Sequence, residues 1–188
     1  MKRKNKIIIV INEYKYLIKN ILKEYTVFEF KPKEYEEIYH KFDNLKEEIY
    51  VINIDIKYID KLKEINKNLK PDIIFIPKLE DNYPKTVEMK MFKYIKKGLK
   101  KLKNKILIIN DNDKYLKNMF MNNLDIYRYG NNEYDDIEYI KEKENIIINY
   151  QEEKYTLKNK NEDIIGNIII GLLFGLNIEE IIDNIEKK

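Results

Sequence analysis

The sequence contains no cysteine, serine, alanine or tryptophan, and His40 is its single histidine. Without cysteine there can be no disulfide, thiolate metal site or cysteine nucleophile. Without serine, and with one histidine, neither a Ser-His-Asp nor a Cys-His system can be built, and a histidine-based zinc site is equally excluded. Glycine is scarce. The five glycines stand at 98, 130, 166, 171 and 175, and none follows an N-terminal strand into a helix. A phosphate loop of the form G-x-x-x-x-G-K-[ST] is therefore absent: the first apolar run is followed directly by "NEYKYLIKN", which has no glycine, serine or threonine. Long hydrophobic runs are also missing. The longest apolar stretch, Ile164 to Ile178, is interrupted by Asn167 and falls short of the roughly 20 residues that span a bilayer. The opening "MKRKNKIIIVIN" is basic with a short apolar run and no small-residue cleavage site, so it reads as a first strand rather than a signal peptide. A cytoplasmic protein without membrane attachment is the expectation.

What the chain has in abundance is Ile, Lys, Asn and Tyr, the bias of an AT-rich genome. The 36 basic and 33 acidic residues leave a net charge of +3. Lysines alternate with Glu and Asp along the chain, as on a solvated surface rather than a nucleic-acid stripe, so nucleic acid is not an expected partner. Hydrophobic residues make up 44% of the 188, enough for a substantial core.

Ile7 to Ile11, Thr26 to Phe30, Ile49 to Ile54, the segment "DIIFI" after Pro71, and Ile106 to Ile109 read as strands, most of them apolar without alternation, as in a sheet covered on both faces. Between them Tyr14–Leu22, Lys33–Asn44, Ile59–Leu69 and Val87–Leu102 carry helical spacing. From Leu124 the pattern changes to short strands near Asp125–Tyr129, Asn145–Tyr150 and Lys154–Leu157, then two helices, the second capped by Asn177 ahead of Glu179 and Glu180. The expected fold is a three-layer α/β domain: a mostly parallel five-stranded sheet over residues 1–123, then a small antiparallel sheet and helical tail over 124–188, in one domain.

In such sheets ligands bind beyond the carboxyl ends of the strands. Those ends carry Asn12 and Glu13, Asn53 and Asp55, Glu80 and Asp81, and Asn110, Asp111 and Asp113. Oxygen ligands gathered there suit Mg²⁺; the same residues also serve as turn formers and helix caps. Gly166, Gly171 and Gly175 read as helix packing, with Gly175 as a C-terminal stop. Lys15 and His40 read as exposed positions without a catalytic role.

From Pro71 onward the arrangement resembles the central domain of the Mur ligase family, enzymes that make amide bonds with ATP through an acyl-phosphate. "PDIIFIPKLEDNYPKTVEMKMFKYIKKGL" looks like the family's strand, acidic turn and lysine-bearing helix. "ILIINDND" is similar to its strand ending in Asn-x-Asp-Asp near the adenine, "YRYG" to the aromatic-Gly strand end, and "GLLFGLNIEEIIDNIEK" to the final helix pair. The resemblance places Asn110 and Asp113 at nucleotide-binding positions, Asp81 at the Asp of an Asp-His turn, Asn53 at a metal-binding Glu position with Asp55 nearby, and Lys93 near a modified lysine. It also shows departures. Asn82 replaces the His of that turn, Asn112 replaces an Asp, the family's Gly-x-His-Asn is not found in "KNKNEDIIGN", and neither the phosphate loop nor the family's flanking domains are present in the sequence.

Phosphoryl transfer rests on positioning and charge stabilisation, and these departures remove most of both. The expectation is a degenerate Mur ligase-like domain without ATP-dependent ligase activity, acting as a binding or partner module beside another ligase subunit or a second copy of itself. Candidate sites are Asn110 and Asp113 for a vestigial nucleotide site and Asp55 and Asp81 for a metal, with Mg²⁺ and ATP as cofactors if nucleotide binding survives. The alternative is an ATP-dependent amide ligase, or ligase subunit, completed by a partner chain.

Overall fold

A computed structural model describes residues 5–11, 18–32, 37, 48–79 and 83–187. The elements follow in order as β1 (Lys6–Ile11), α1 (Ile18–Ile21), β2 (Val27–Phe30), β3 (Ile49–Ile54), a 3₁₀ turn (Ile56–Lys61) running into α2 (Leu62–Leu69), β4 (Ile73–Ile76), α3 (Lys85–Leu99), β5 (Lys105–Asn110), a short 3₁₀ turn (Leu116–Asn118), β6 (Leu124–Gly130), β7 (Ile137–Glu142), β8 (Asn145–Tyr150), β9 (Glu153–Leu157), α4 (Ile164–Leu173) and α5 (Ile178–Glu186). The helix expected over Lys33–Asn44 and the first turns of the one expected over Tyr14–Leu22 lie outside the described residues, apart from Glu37.

The nine strands among the described residues form one sheet, in the order β2-β3-β1-β4-β5-β6-β7-β8-β9. Strands β2 to β6 and β1 are parallel, as the uninterrupted apolar runs require. Strand alternation sends Ile7, Ile9, Ile11, Ile52, Ile54, Ile74, Ile76 and Ile109 to the face covered by the first 3₁₀ turn, α2 and α3. Ile8, Val10, Val51, Phe75, Ile108 and Tyr129 go to the face covered by α1, α4 and α5. The result is the expected three-layer sandwich.

One expectation is corrected. The C-terminal strands do not make a separate small sheet; they extend the parallel one. β6 pairs parallel with β5 along its whole length, from Lys105↔Leu124 to Asn110↔Tyr129. A seventh strand, β7, absent from the sequence reading, joins the last two residues of β6 in parallel through Tyr129↔Ile137 and Gly130↔Glu138. It then runs on past the carboxyl edge, where β8 pairs antiparallel with it and β9 pairs antiparallel with β8. The return loop needs Gly130: a Cβ there would lie 2.5 Å from Asp135 Oδ2. The overhang brings β7 side chains above the strand ends.

Helix α4 is pressed onto the sheet. A Cβ on Gly166 would lie 2.2 Å from Cζ of the fully buried Phe75, and one on Gly171 would lie 2.7 Å from Ile181 Cδ1 of α5. Gly175 stops the helix with φ +89°. Asn177 caps α5, its Oδ1 accepting from Glu180 N at 2.7 Å. No described helix is long and apolar enough to cross a membrane.

Candidate functional site

The carboxyl ends of β4, β5 and β6, the overhanging β7 and the start of α4 converge on one polar rim. A cavity of about 160 Å³ lies there, lined by Lys78, Asn110, Asn112, Asp113, Lys114 and Glu162. The sequence-predicted Asn110 and Asp113 are both in it, and both are buried. Their side chains organise the turn after β5. Asn110 Oδ1 accepts from Asn112 N at 2.9 Å. Asp113 Oδ1 accepts from Tyr115 N at 2.8 Å and Leu116 N at 2.9 Å, and its Oδ2 accepts from Leu79 N at 2.9 Å. One carboxylate thus caps the 3₁₀ turn and ties it to the loop leaving β4.

Asn112 starts a chain of hydrogen bonds that runs across the rim. Its Nδ2 donates to Tyr139 Oη at 2.9 Å, and the Tyr139 hydroxyl donates to Glu162 Oε2 at 2.8 Å. Lys141 pairs with the same Glu162 oxygen. Burial, then the neighbouring Glu162, hold the Tyr139 hydroxyl far above its usual range. For Glu162, burial acts to raise the carboxyl, but the hydrogen bonds and charge of Lys141 and Tyr139 outweigh it and leave it below the usual value. Beside it, Asp163 is pushed up to about 6, first by burial and then by the Glu162 charge, against the pull of Lys78 and Lys141. Farther out, Arg128 donates to Asp111 Oδ1 at 2.6 Å and to the carbonyl of Met119, fixing β6 to the turn after β5.

Of the two metal candidates, only Asp55 lies among the described residues. Asp55 caps the 3₁₀ turn that follows β3, its Oδ1 accepting from Lys57 N at 3.0 Å while its Oδ2 faces Lys57 Nζ at 3.7 Å. Asp81 lies outside the described residues, as do Asn12, Glu13, Lys15, His40, Glu80 and Asn82. Lys93 is exposed on α3. Among the described residues no three His, Cys, Asp or Glu side chains gather as a cation site. Three side-chain oxygens at or behind the rim, Asn53 Oδ1, Asp163 Oδ1 and Asn167 Oδ1, are buried and accept no hydrogen bond.

Sequence reasoning missed Lys78, Tyr139, Lys141, Glu162 and Asp163. The segment holding Glu162 and Asp163 was located, but only as the place of an unrecognised motif. Tyr139 and Lys141 belong to a strand that short polar periodicity concealed.

With the geometry in place, likeness to solved structures is informative. No family profile and no curated protein matches the sequence. The MurF ligase of Thermotoga maritima in complex with ADP superposes with a TM-score of 0.71 at 16% identity, over 95% of this chain and 48% of that one. The fold is that of the Mur ligase central domain. The Acinetobacter baumannii UDP-N-acetylmuramoylalanyl-D-glutamyl-2,6-diaminopimelate–D-alanyl-D-alanyl ligase matches with a TM-score of 0.73 at 12% identity, over 98% of this chain and 46% of that one. A third Mur ligase, the UDP-N-acetylmuramate:L-alanyl-γ-D-glutamyl-meso-diaminopimelate ligase of Neisseria meningitidis, gives 0.60 at 8% identity, over 98% and 66%. The chain therefore spans about half the length of the first two Mur ligases.

This fold occurs in a ligase with ADP bound, and a phosphate or Mg²⁺ at the strand ends needs backbone donors and oxygen ligands. The turn after β1 offers, in sequence, no glycine, serine or threonine to wrap a phosphate. The rim oxygens of Asn110 and Asp113 already accept backbone N–H groups. Asp55 is spent on a helix cap. Among the described residues, the side-chain oxygens of Asn110, Asp113 and Asp55 are thus engaged by backbone N–H groups.

Proposed function

We propose that this chain is a Mur ligase-like domain that no longer runs the ATP reaction and acts in the cytoplasm as a binding or partner module, beside a ligase subunit or a second copy of itself. The observation that carries this reading is the small, cross-braced cavity at the rim. Ligand cavities for drug-sized molecules run to about 300–1,000 Å³, and the rim cavity is about 160 Å³. Its walls are joined to one another by Asn112, Tyr139, Glu162 and Lys141 rather than held open for a ligand. The glycine-free turn supports the same reading from the sequence.

A second reading is an ATP-dependent amide ligase completed by a partner chain. Two observations favour it: the unpartnered oxygens of Asn53, Asp163 and Asn167, which suit a cation or donor brought from outside, and the fold shared with an ADP-bound ligase. The test is ADP release from MgATP with carboxylate and amino-acid or peptide acceptors, run on the chain alone and with any ligase that co-purifies. The first reading expects no acceptor-dependent ADP beyond the ligase's own rate. Release that needs both chains supports the second; release by the chain alone overturns the first.

A further inference from the structure

Charge is distributed unevenly along this near-neutral chain. From Lys57 to Lys105 there are fifteen lysines against six carboxylates; from Leu124 to Lys188 there are fifteen carboxylates against eight basic residues. The basic segment builds α2, α3 and the connections into β4 and β5. Where these helices end, at the amino edge of the sheet and opposite the rim, a cavity of about 510 Å³ opens between them. Lys63, Lys67, Lys70, Lys101, Lys103 and Lys105 line it, and no carboxylate does. Lys105 is held by Asp72 at 2.9 Å.

Lysines near a helix C-terminus complement the negative end of its dipole. That role accounts for Lys67 or Lys101 singly, but not for six around one concavity. A cleft lined by one sign of charge over low-dielectric walls focuses field and concentrates counter-ions.

The floor supplies an independent observation. Asn66 is 2% exposed, and its Nδ2 donates to the Gly98 carbonyl at 3.2 Å, which fixes the amide orientation. Its Oδ1 accepts nothing. Buried polar oxygens are normally satisfied, so an unpartnered one, buried on a residue that lines the cavity, marks a place for a donor. The close approach of the two helices depends on Gly98, where a Cβ would lie 2.8 Å from Leu62 Cγ. Leu102 and the lysine stems supply apolar wall.

We propose that this cavity binds a small organic phosphate. The ammonium groups take the phosphate oxygens, the apolar wall takes the organic portion, and Asn66 Oδ1 accepts a hydrogen bond from it. The volume lies within the range of about 300–1,000 Å³ usual for such sites. This site is independent of the reading of the rim.

The full chain is titrated by calorimetry with inorganic pyrophosphate and, separately, with metal-free ADP, which share a diphosphate and differ in the organic portion. The same titrations are run on Lys67→Glu/Lys101→Glu and on Lys154→Glu/Lys158→Glu, which change net charge equally but at different places. The expected result is one ligand per chain, ADP at least threefold tighter than pyrophosphate. The amino-edge variant weakens both at least tenfold, and the remote variant leaves them within twofold. Absence of saturation, or equal loss in the two variants, shows an adventitious ion only and overturns the proposal. ADP no tighter than pyrophosphate overturns the assignment of an organic phosphate. Loss of binding in the amino-edge variant says nothing against the rim reading, which fails through acceptor-dependent ADP release by the chain alone or through MgATP binding that this variant retains.

Discussion

Gly166→Ala tests how tightly α4 is seated on the sheet. In an exposed helix this change stabilises by about 1 kcal/mol, because glycine is the poorer helix former. Here the added Cβ would stand 2.2 Å from Phe75 Cζ and 2.3 Å from Cε2. Carbon atoms in contact prefer about 3.5–4.0 Å, so the ring or the helix must move by roughly 1.3 Å. Phe75 has little room to yield. It is fully buried, and its ring packs at 6.2 Å centroid distance against that of Tyr129, also fully buried. With both rings fully buried and a 2.2 Å approach, overpacking costs at the upper end of its usual range, about 3 kcal/mol, which exceeds the propensity gain. The expected net loss is about 2 kcal/mol, seen as a lower urea midpoint at unchanged slope and a melting temperature lower by roughly 4–8 °C. Phe75→Leu removes the obstructing ring atoms at a cost of its own, and the double variant should then lose less than the sum of the two single changes by at least about 0.5 kcal/mol. A Gly166→Ala protein as stable as the parent, or strictly additive effects, would refute the packing argument.

Other expectations follow from the rim. Asp113→Ala strands three backbone N–H groups and should cost about 2–3 kcal/mol in urea unfolding; a loss below about 0.5 kcal/mol would contradict its capping role. Asp163 binds its proton more tightly folded than unfolded, since its value is raised from 3.8 to about 6. Its contribution is therefore most favourable below pH 3.8 and is lost as pH rises through 6. Asp163→Asn should flatten the stability profile between those values and stabilise at pH 7.5 by on the order of 1–3 kcal/mol; an unchanged profile would count against it. Arg128→Lys keeps the charge but loses the fork that reaches Asp111 and the Met119 carbonyl, and should cost about 1–2 kcal/mol, checked by thermal unfolding.

The parallel core was legible because burial on both faces leaves apolar runs such as Ile7–Ile11 at regular intervals between helical segments. Strand pairing was less legible, because register depends on partners far away in sequence. β7 shows the difficulty: in "IEYIKE" only Ile137 and Tyr139 are buried, and Ile140 is 49% exposed. Its parallel junction with β6 spans two residue pairs after a loop of residues 131–136, far shorter than the crossover expected between parallel strands. The polar turn after β5 announced itself through Asn110 and Asp113, whose oxygens accept backbone N–H groups around that turn. Glu162 and Asp163 acquire meaning only when the β7 overhang sets Tyr139 and Lys141 against them.

The central claim concerns the rim, and calorimetric titration of MgATP into the Lys67→Glu/Lys101→Glu chain tests it without interference from the amino edge. The account predicts no saturable binding. One nucleotide bound per chain at micromolar affinity, and lost on substitution of Lys78, would contradict it.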